Sequence, residues 1–268
     1  MPVNRRLIAV STLAAITVAC SEARQPVTVE FVARFEGRDV SCGDHAAEIL
    51  LTDLRFYVHD VQLMAEDGAL IQVKLDDEVL WQHDDLGLVD LENGRGACTN
   101  GTFETRSFLQ GTVRPGVYRG LQFTIGVPFD RNHADPLAAK PPLDDPAMHW
   151  HWRAGYKFLR AGVRTDDDGF WMHLGSTGCE GTVRNISGCR APNRITVRLD
   201  DFVAGQNIVV VELGELVSQD QLRDGNATDC SSGPAEAACK APFDALGLDH
   251  STGGPAGTQR FFKSRATR

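Results

Sequence analysis

Hydrophobic and polar residues alternate along much of the chain after residue 26. The segment Val27–Phe35 shows it most clearly, because Val27, Val29 and Phe31 alternate with polar or small residues. Since successive side chains of an extended strand point to opposite faces, this pattern predicts a β-strand with one buried face. Comparable patterns predict further strands at 51–63, 69–75, 116–127, 156–165, 170–174, 194–199 and 208–213.

Turn sequences rich in Asp and Gly separate these predicted strands, as at Asp67-Gly68 and in the stretch 166–169. Many strands with little helical periodicity predict an all-β fold, an antiparallel β-sandwich or barrel-like domain with long loops. A polar, proline-containing loop spans 130–146, and loops of this length are often functional. Short helical turns are predicted at 218–222 and 243–248. We expect a single domain over 27–262.

The N-terminus has the pattern of an export signal. Arg5 and Arg6 precede an apolar run over 7–19, which is too short to cross a bilayer as a helix. The residues before Cys20 resemble a bacterial lipobox, so we expect residues 1–19 to be a signal peptide and Cys20 to be lipidated. Cleavage nearby without lipidation is the alternative. Either way the mature protein is expected in the periplasm, free or anchored to the outer membrane.

The mature part contains six cysteines, an even number that in an exported chain predicts three disulfides. The spacing favours the short loops Cys179–Cys189 and Cys230–Cys239, which leaves Cys42–Cys98. A thiolate metal site is disfavoured because no Cys-x-x-Cys pair occurs. The formal net charge of −9 argues against nucleic acid as a partner.

The sequence Met148-His149-Trp150-His151-Trp152 is the strongest chemical signal. On a strand, His149 and His151 share one face and the two tryptophans the other. Imidazole is a common metal ligand and suits copper, zinc, nickel and iron, so the pattern predicts a metal site. His133, in the long loop, and His173, at a predicted strand end, complete a set of four candidate ligands.

The two tryptophans have two interpretations. The simpler one is a layer of the hydrophobic core. The other is chemical: native indole offers only an N–H donor and cannot bind a metal. Oxidative ring opening to kynurenine creates an aryl amine and a ketone, both of which can coordinate.

Several longer motifs in order resemble those of the MbnP-like family, also called the metallo-mystery-pair four-cysteine-motif family. The resemblance covers about 27–262. The motifs lie at 96–102, 126–129, 132–136, 148–152, 155–160, 173–179, 230–239 and 243–248.

This resemblance implies a β-rich exported copper-binding protein encoded beside a MauG-like dihaem partner of the MbnH type. The partner oxidises one tryptophan to kynurenine, which then helps histidines to bind copper, so the protein is a substrate and not an enzyme. His133 and His173 lie in matching motifs and are the first-choice ligands. Trp152 and Trp150 are the candidates for oxidation, with Trp81 and Trp171 as alternatives. His149 and His151 stand where other residues are expected.

Two other functions are compatible with the sequence. A copper or zinc chaperone would use only native histidines, which His149 and His151 favour. A non-metal interaction module would use the tryptophans as core and the disulfides as staples. A hydrolase is disfavoured, because no nucleophile–base pair or open zinc triad is evident.

Overall fold

The computed structural model describes residues 23–44, 48–183 and 185–267. The predicted signal segment 1–19 and Cys20 lie outside the described residues. The strands are β1 (Gln25–Phe35), β2 (Arg38–Asp39), β3 (Leu50–Ala65), β4 (Leu70–Gln72), β5 (Lys74–Leu75), β6 (Gln82–His83), β7 (Leu86–Asp90), β8 (Phe108–Val113), β9 (Tyr118–Ile125), β10 (His149–His151), β11 (Gly155–Tyr156), β12 (Leu159–Arg164), β13 (Gly169–Leu174), β14 (Thr177–Thr182), β15 (Asn185–Ala191), β16 (Ile195–Leu199), β17 (Asn207–Glu212) and β18 (Phe262–Ala266).

Helices are short and lie between the strands. They are α1 (Phe129–Asn132), α2 (Gln219–Arg223) and α3 (Lys240–Ala245), with 3-10 turns at Pro136–Ala138, Leu213–Glu215 and Ala237–Cys239. Within the described ranges, no helix has the length and apolar character needed to traverse a bilayer. The helical turn predicted at 218–222 is confirmed, and the one predicted at 243–248 begins earlier, at Lys240.

Two large sheets form the sandwich that the alternation predicts. One has the order β13-β12-β3-β7-β6, with β4 and β9 also pairing with β3 and β16 pairing with β9. The other has the order β18-β17-β1-β8-β5, with β2 beside β1. The all-β sandwich is confirmed. Its pairing is not uniformly antiparallel, however, because β1 and β17 run parallel, with Phe31 opposite Val209. Such a pair needs a long connection, which nearly the whole chain supplies here.

The main core lies between the sheets. Phe31, Phe56, Phe123 and Phe262 meet edge to face there, with ring centroids 5.3–5.9 Å apart. Edge-to-face contacts are a favoured arrangement of aromatic rings. The inward positions of β1 supply one side of this core, as the alternation in Val27–Phe35 predicts.

A second, smaller core covers the outer face of the β3 sheet. The segment 127–158 folds over this face, and its buried residues pack with those of β3 and β7. The residues of this core are Tyr57, Leu86, Leu88, Val127, Leu143, Met148, Tyr156 and Phe158. The predicted long loop 130–146 is therefore largely a cover, and it contains the end of α1 and a 3-10 turn. The strand predicted at 156–165 is divided, because Lys157 and Phe158 separate β11 from β12.

All three predicted disulfides form. Cys42 pairs with Cys98, Cys179 with Cys189, and Cys230 with Cys239. The second bridge joins β14 to β15, directly across a register pair. The third holds the segment that follows α2 beside the edge strand β13, where Met172 and Cys230 form an isolated bridge.

Candidate metal centre

The sequence His149-Trp150-His151 forms β10 and pairs with β11, His149 lying opposite Tyr156 and His151 opposite Gly155. The strand ends at His151, because a turn occupies the next residues and Gly155 has a φ of 80°. Trp152 lies in this turn and is 36% exposed. The interpretation of Trp150 and Trp152 as a core layer is therefore wrong. The strand is only three residues long and ends before Trp152, so the two indoles do not share a buried face.

Trp150 lies over the edge strand β13. Its ring centroid is 6.3 Å from that of His173, with the planes at 81°. Gly175 makes this approach feasible, because a Cβ at that position would stand 3.0 Å from indole Cε3. The structure thus brings one predicted ligand and one predicted oxidation site into contact.

The His173 imidazole is ready to accept a metal. Its Nε2 is buried and has no hydrogen-bond partner. Burial, and then the nearby positive charge of Arg160, lower its pKa to about 4. The ring is therefore neutral at pH 7, which is the form that binds metals. The backbone of His173 is fixed on the outer side, where its N–H donates to the Cys230 carbonyl at 2.9 Å and its carbonyl accepts from Ser232 Oγ at 2.7 Å.

A row of polar residues crosses four strands and ends at His173. Asp90 on β7 is opposite Arg55 on β3, Arg55 is opposite Arg160 on β12, and Arg160 is opposite His173. Asp53 joins the two arginines, at 2.8 Å from Arg55 and 2.7 Å from Arg160. We call these four cross-strand positions the polar row.

Arg160 also connects the sheet to the segment that covers it. Its NH1 donates to the Ala147 carbonyl at 2.9 Å, and Lys157 Nζ donates to the same oxygen at 2.8 Å. Ala147 is three residues before Trp150. The two cations therefore fix the backbone that carries the indole onto the strand that carries the imidazole.

His133 lies just after α1, near the disulfide between β14 and β15. Its Nε2 is 3.5 Å from Cys189 Sγ, and its ring centroid is 4.8 Å from that of Phe129. Burial and the charge of Arg194 lower its pKa. A ring nitrogen of His133 and the Sγ atoms of Cys179 and Cys189 lie within 4.8 Å of one another. The two sulfurs are bonded to each other, so they are not thiolate ligands.

The protonation of His133 follows from its neighbour Asn132. The amide oxygen of Asn132 accepts from the Tyr156 backbone, so its Nδ2 must be the donor to His133 Nε2, at 3.1 Å. This bond places the proton of the neutral ring on Nδ1, which is buried without a partner. Binding of a metal through Nδ1 therefore requires the other tautomer and loss of the bond to Asn132.

His149 and His151 differ in their surroundings. The ring of His149 is half-buried against Tyr156, with centroids 5.3 Å apart, and burial, then His151, lowers its pKa. The ring of His151 is exposed and lies 6.2 Å from Trp150. His151 Nδ1 accepts long hydrogen bonds from the backbone N–H groups of Arg153 and Ala154, which leaves Nε2 toward solvent.

An open cleft of about 430 Å³ lies beside Trp150. His151, Arg153, Cys179 and Arg190 are among its lining residues. Cys179 lines the cleft and its partner Cys189 contacts His133, so the disulfide connects His133 to the side of the site where Trp150 lies.

The other two tryptophans differ from Trp150 in their contacts. Trp171 shares the outer face of β13 with His173 and packs on Gly162, where a Cβ would stand 2.9 Å from its Cε3. Trp81 lines a separate cleft. Among the described ring contacts, those of indole with imidazole involve Trp150.

Sequence reasoning gave no role to two residues that shape this region, Arg160 and Asn132. Arg160 stands out as a charge flanked by apolar residues inside a buried strand, and this is the signal that could have found it. Asn132 is 2% exposed and binds both Ala154 and Tyr156. His59 has a buried Nε2 without a partner, and burial, then Arg194 and Arg131, lower its pKa to about 4.

The donors present are nitrogen donors. Neutral imidazoles suit copper and zinc, whereas calcium and magnesium prefer oxygen ligands. Trp150 as an indole adds no lone pair to the site. The residues therefore fit a nitrogen-ligated transition metal, with His173 as the best-prepared donor.

Comparison with known proteins agrees with this fold. The family profile described as MbnP matches residues 24–232. The solved structure of MbnP from Methylosinus trichosporium is similar with a TM-score of 0.79 and 27% sequence identity, covering 92% of this chain and 100% of that one. Among curated proteins no match is found. Because the profile spans most of its length, the chain belongs to the MbnP family.

Proposed function

We propose that this protein is an exported copper-binding protein whose site is completed by oxidation of Trp150 to kynurenine. The contact between Trp150 and His173 carries the proposal. His173 offers a buried, unpartnered and neutral nitrogen at the position where an aryl amine from Trp150 would be added. His133 is the second imidazole, once its tautomer changes.

Trp150 is preferred over Trp152 for a geometric reason. The guanidinium of Arg153 lies 4.8 Å from the centre of the Trp152 ring, and the ring is at the surface. A kynurenine there would face solvent. At Trp150 the same chemistry places an amine and a ketone beside His173.

The maturation step needs an oxidant. A MauG-like dihaem partner of the MbnH type would supply it, consuming two molecules of peroxide as its haem is oxidised. Two oxygen atoms are inserted across the C2–C3 bond of the indole, which gives N-formylkynurenine and two waters. Hydrolysis then releases formate and leaves kynurenine. In this proposal the protein is the partner's substrate and not an enzyme, and it acts in the periplasm or at the outer membrane.

The test compares Trp150→Phe with the matched variant Trp152→Phe, each co-expressed with the dihaem partner. Conversion to kynurenine adds about 4 Da to one tryptophan. Trp150 and Trp152 share the tryptic peptide that ends at Arg153, so fragment ions between them identify the modified residue. We expect the mass gain and bound copper in wild type and Trp152→Phe, and neither in Trp150→Phe. Full copper binding with all four tryptophans intact would contradict the proposal.

A copper or zinc chaperone with native histidines is the second candidate. Its support is His151, which lies against Trp150 and lines the open cleft. His149→Gln combined with His151→Gln should abolish metal binding if this function is the right one. The same double variant should keep most of its copper if kynurenine and His173 hold the ion.

A further inference from the structure

A second cleft, of about 520 Å³, opens at the other end of the polar row. It lies on the same outer face of the β3 sheet, with Asp90 and Arg55 among its lining residues, and the segment 142–147 forms one wall. Its volume is in the range of small-molecule sites. Neither the copper site nor the maturation step uses it.

The floor of this cleft contains an acidic group open to a ligand. Asp90 is 4% exposed, and its Oδ1 accepts from the Glu92 N–H at 2.9 Å. Among the described residues no donor binds the second oxygen, Oδ2. Oδ2 therefore marks a position where the cleft can bind a donor.

Arg55, the neighbour of Asp90 across β3 and β7, is already occupied. Its Nε and NH2 donate to Asp53 at 2.9 and 2.8 Å, and its NH1 is 3.8 Å from Asp145. Its charge is neutralised by Asp53 within the sheet and by Asp145, which also lines the cleft. The other ionisable lining residues are acidic: Asp90, Glu104, Asp144 and Asp145. Burial raises the pKa of Asp90 to about 7, and an ammonium group beside it would favour its carboxylate form.

The apolar residues on the walls of the cleft indicate what the rest of the ligand is like. Trp81, Leu80 and Leu88 stand on one side, and Pro142 and Pro146 belong to the covering segment. Among the described residues, the carboxylates of this cleft do not form a group of three that could share an ion, and Arg55 places a positive charge beside Asp90. Both features disfavour a divalent metal ion. An indole and proline surface instead suits a flat apolar body, and an indole also attracts an ammonium group through its π face.

We propose that this cleft binds a small organic cation, with an aromatic ring against Trp81 and an ammonium group donating to Asp90 Oδ2. The rim carboxylates Glu104 and Asp144 attract the ammonium charge and repel an anion of the same shape, and a neutral alcohol gains a hydrogen bond but no charge pairing. The proposal is independent of copper.

Phenethylamine is the probe, with hydrocinnamate as an anion of nearly the same shape and phenethyl alcohol as the neutral control. Binding is followed by ¹⁵N NMR of the Trp81 indole N–H in the full mature chain, without metal. We expect a saturable shift with phenethylamine, and affinities for the two controls at least about tenfold weaker.

Three variants locate the ligand. The variants are titrated by calorimetry, because Trp81→Leu removes the NMR reporter. Asp90→Asn and Trp81→Leu should each weaken phenethylamine binding by about tenfold, whereas Glu66→Gln, at an exposed ion pair elsewhere, should leave it unchanged. If Asp90→Asn fails to fold, Glu104→Gln at the exposed rim should still weaken binding several-fold. Equal affinity for hydrocinnamate, no shift at Trp81, or a shift produced by calcium but not by the amine would each overturn the proposal.

Discussion

Arg160 and His173 are direct cross-strand partners on β12 and β13. The same arginine binds Asp53 within the sheet and the Ala147 carbonyl above it, and it is 6% exposed. One buried cation therefore adjoins the candidate ligand, the ion-pair centre of the sheet and the segment that leads to Trp150. This arrangement makes the position of Trp150 depend on the polar row.

Replacing Arg160 should strongly lower the stability of the protein. Arg160→Met leaves the Ala147 carbonyl with only Lys157 and removes one of the two partners of Asp53. Breaking a buried ion pair typically lowers the free energy of unfolding by about 3–5 kcal/mol. Urea denaturation measures the loss. Arg119→Gln breaks the exposed pair with Glu66 and should change stability by less than about 1 kcal/mol. Equal effects of the two variants would contradict the role given to Arg160.

Gly155 should not tolerate a side chain. Its φ is 80°, and a Cβ would stand 2.2 Å from the Asn132 carbonyl oxygen. Gly155→Ala should therefore lower stability by about 2–4 kcal/mol through strain and displacement of Asn132. Gly188→Ala on β15 is the matched control, since nothing lies within 4 Å of its Cβ position. Thermal unfolding of both variants checks this, and a stable Gly155→Ala protein would contradict it.

Stability should depend on pH through His59. Its pKa is about 4 in the fold, below the ordinary value of 6.5, so the unfolded chain binds the proton more readily. The contribution of His59 to stability is then complete above about pH 6.5 and is lost as the pH falls toward 4, by up to about 3 kcal/mol. Urea denaturation at several pH values in this range gives the free energy of unfolding, which should depend less steeply on pH in His59→Gln than in wild type. The control variant His83→Gln should keep the wild-type dependence of unfolding free energy on pH. An equal reduction of that dependence in both variants would show that His59 is not its cause.

The Cys230–Cys239 disulfide should affect the proposed copper site as well as stability. Cys230 binds the backbone of His173, and the bridge holds this segment in place. Replacing both cysteines with serine should lower stability by about 2–4 kcal/mol and weaken copper binding by about tenfold. The Cys42→Ser, Cys98→Ser variant is the control. It should lose comparable stability, while copper affinity of the folded protein stays within twofold, about 0.4 kcal/mol.

Alternation predicted β1 and β9, each of which buries one face, but it missed β8, whose residues also alternate in burial. It was less informative for β3, where residues 51–58 are all buried because a second core covers the outer face. The hairpin β14–β15 was missed, because it is glycine-rich and largely exposed and so has little hydrophobic pattern.

The sequence also indicated parts of the candidate site. The histidine and tryptophan motif predicted a contact that the structure places at Trp150 and His173. It could not show that Trp152 lies in a turn, since the turn depends on Gly155 packing against Asn132. The position of His133 beside the Cys179–Cys189 bridge and the existence of the polar row both depend on register between strands that are distant along the chain.

The parallel pairing of β1 with β17 has a consequence for how the molecule forms. The first described strand lies between β8 and β17, so its neighbour on one side is more than 170 residues later in the chain. A nascent polypeptide emerging from the ribosome cannot finish this sheet until nearly all of it has been synthesised. Such distant pairing slows folding, so completion of this sheet is a late step in the formation of the molecule.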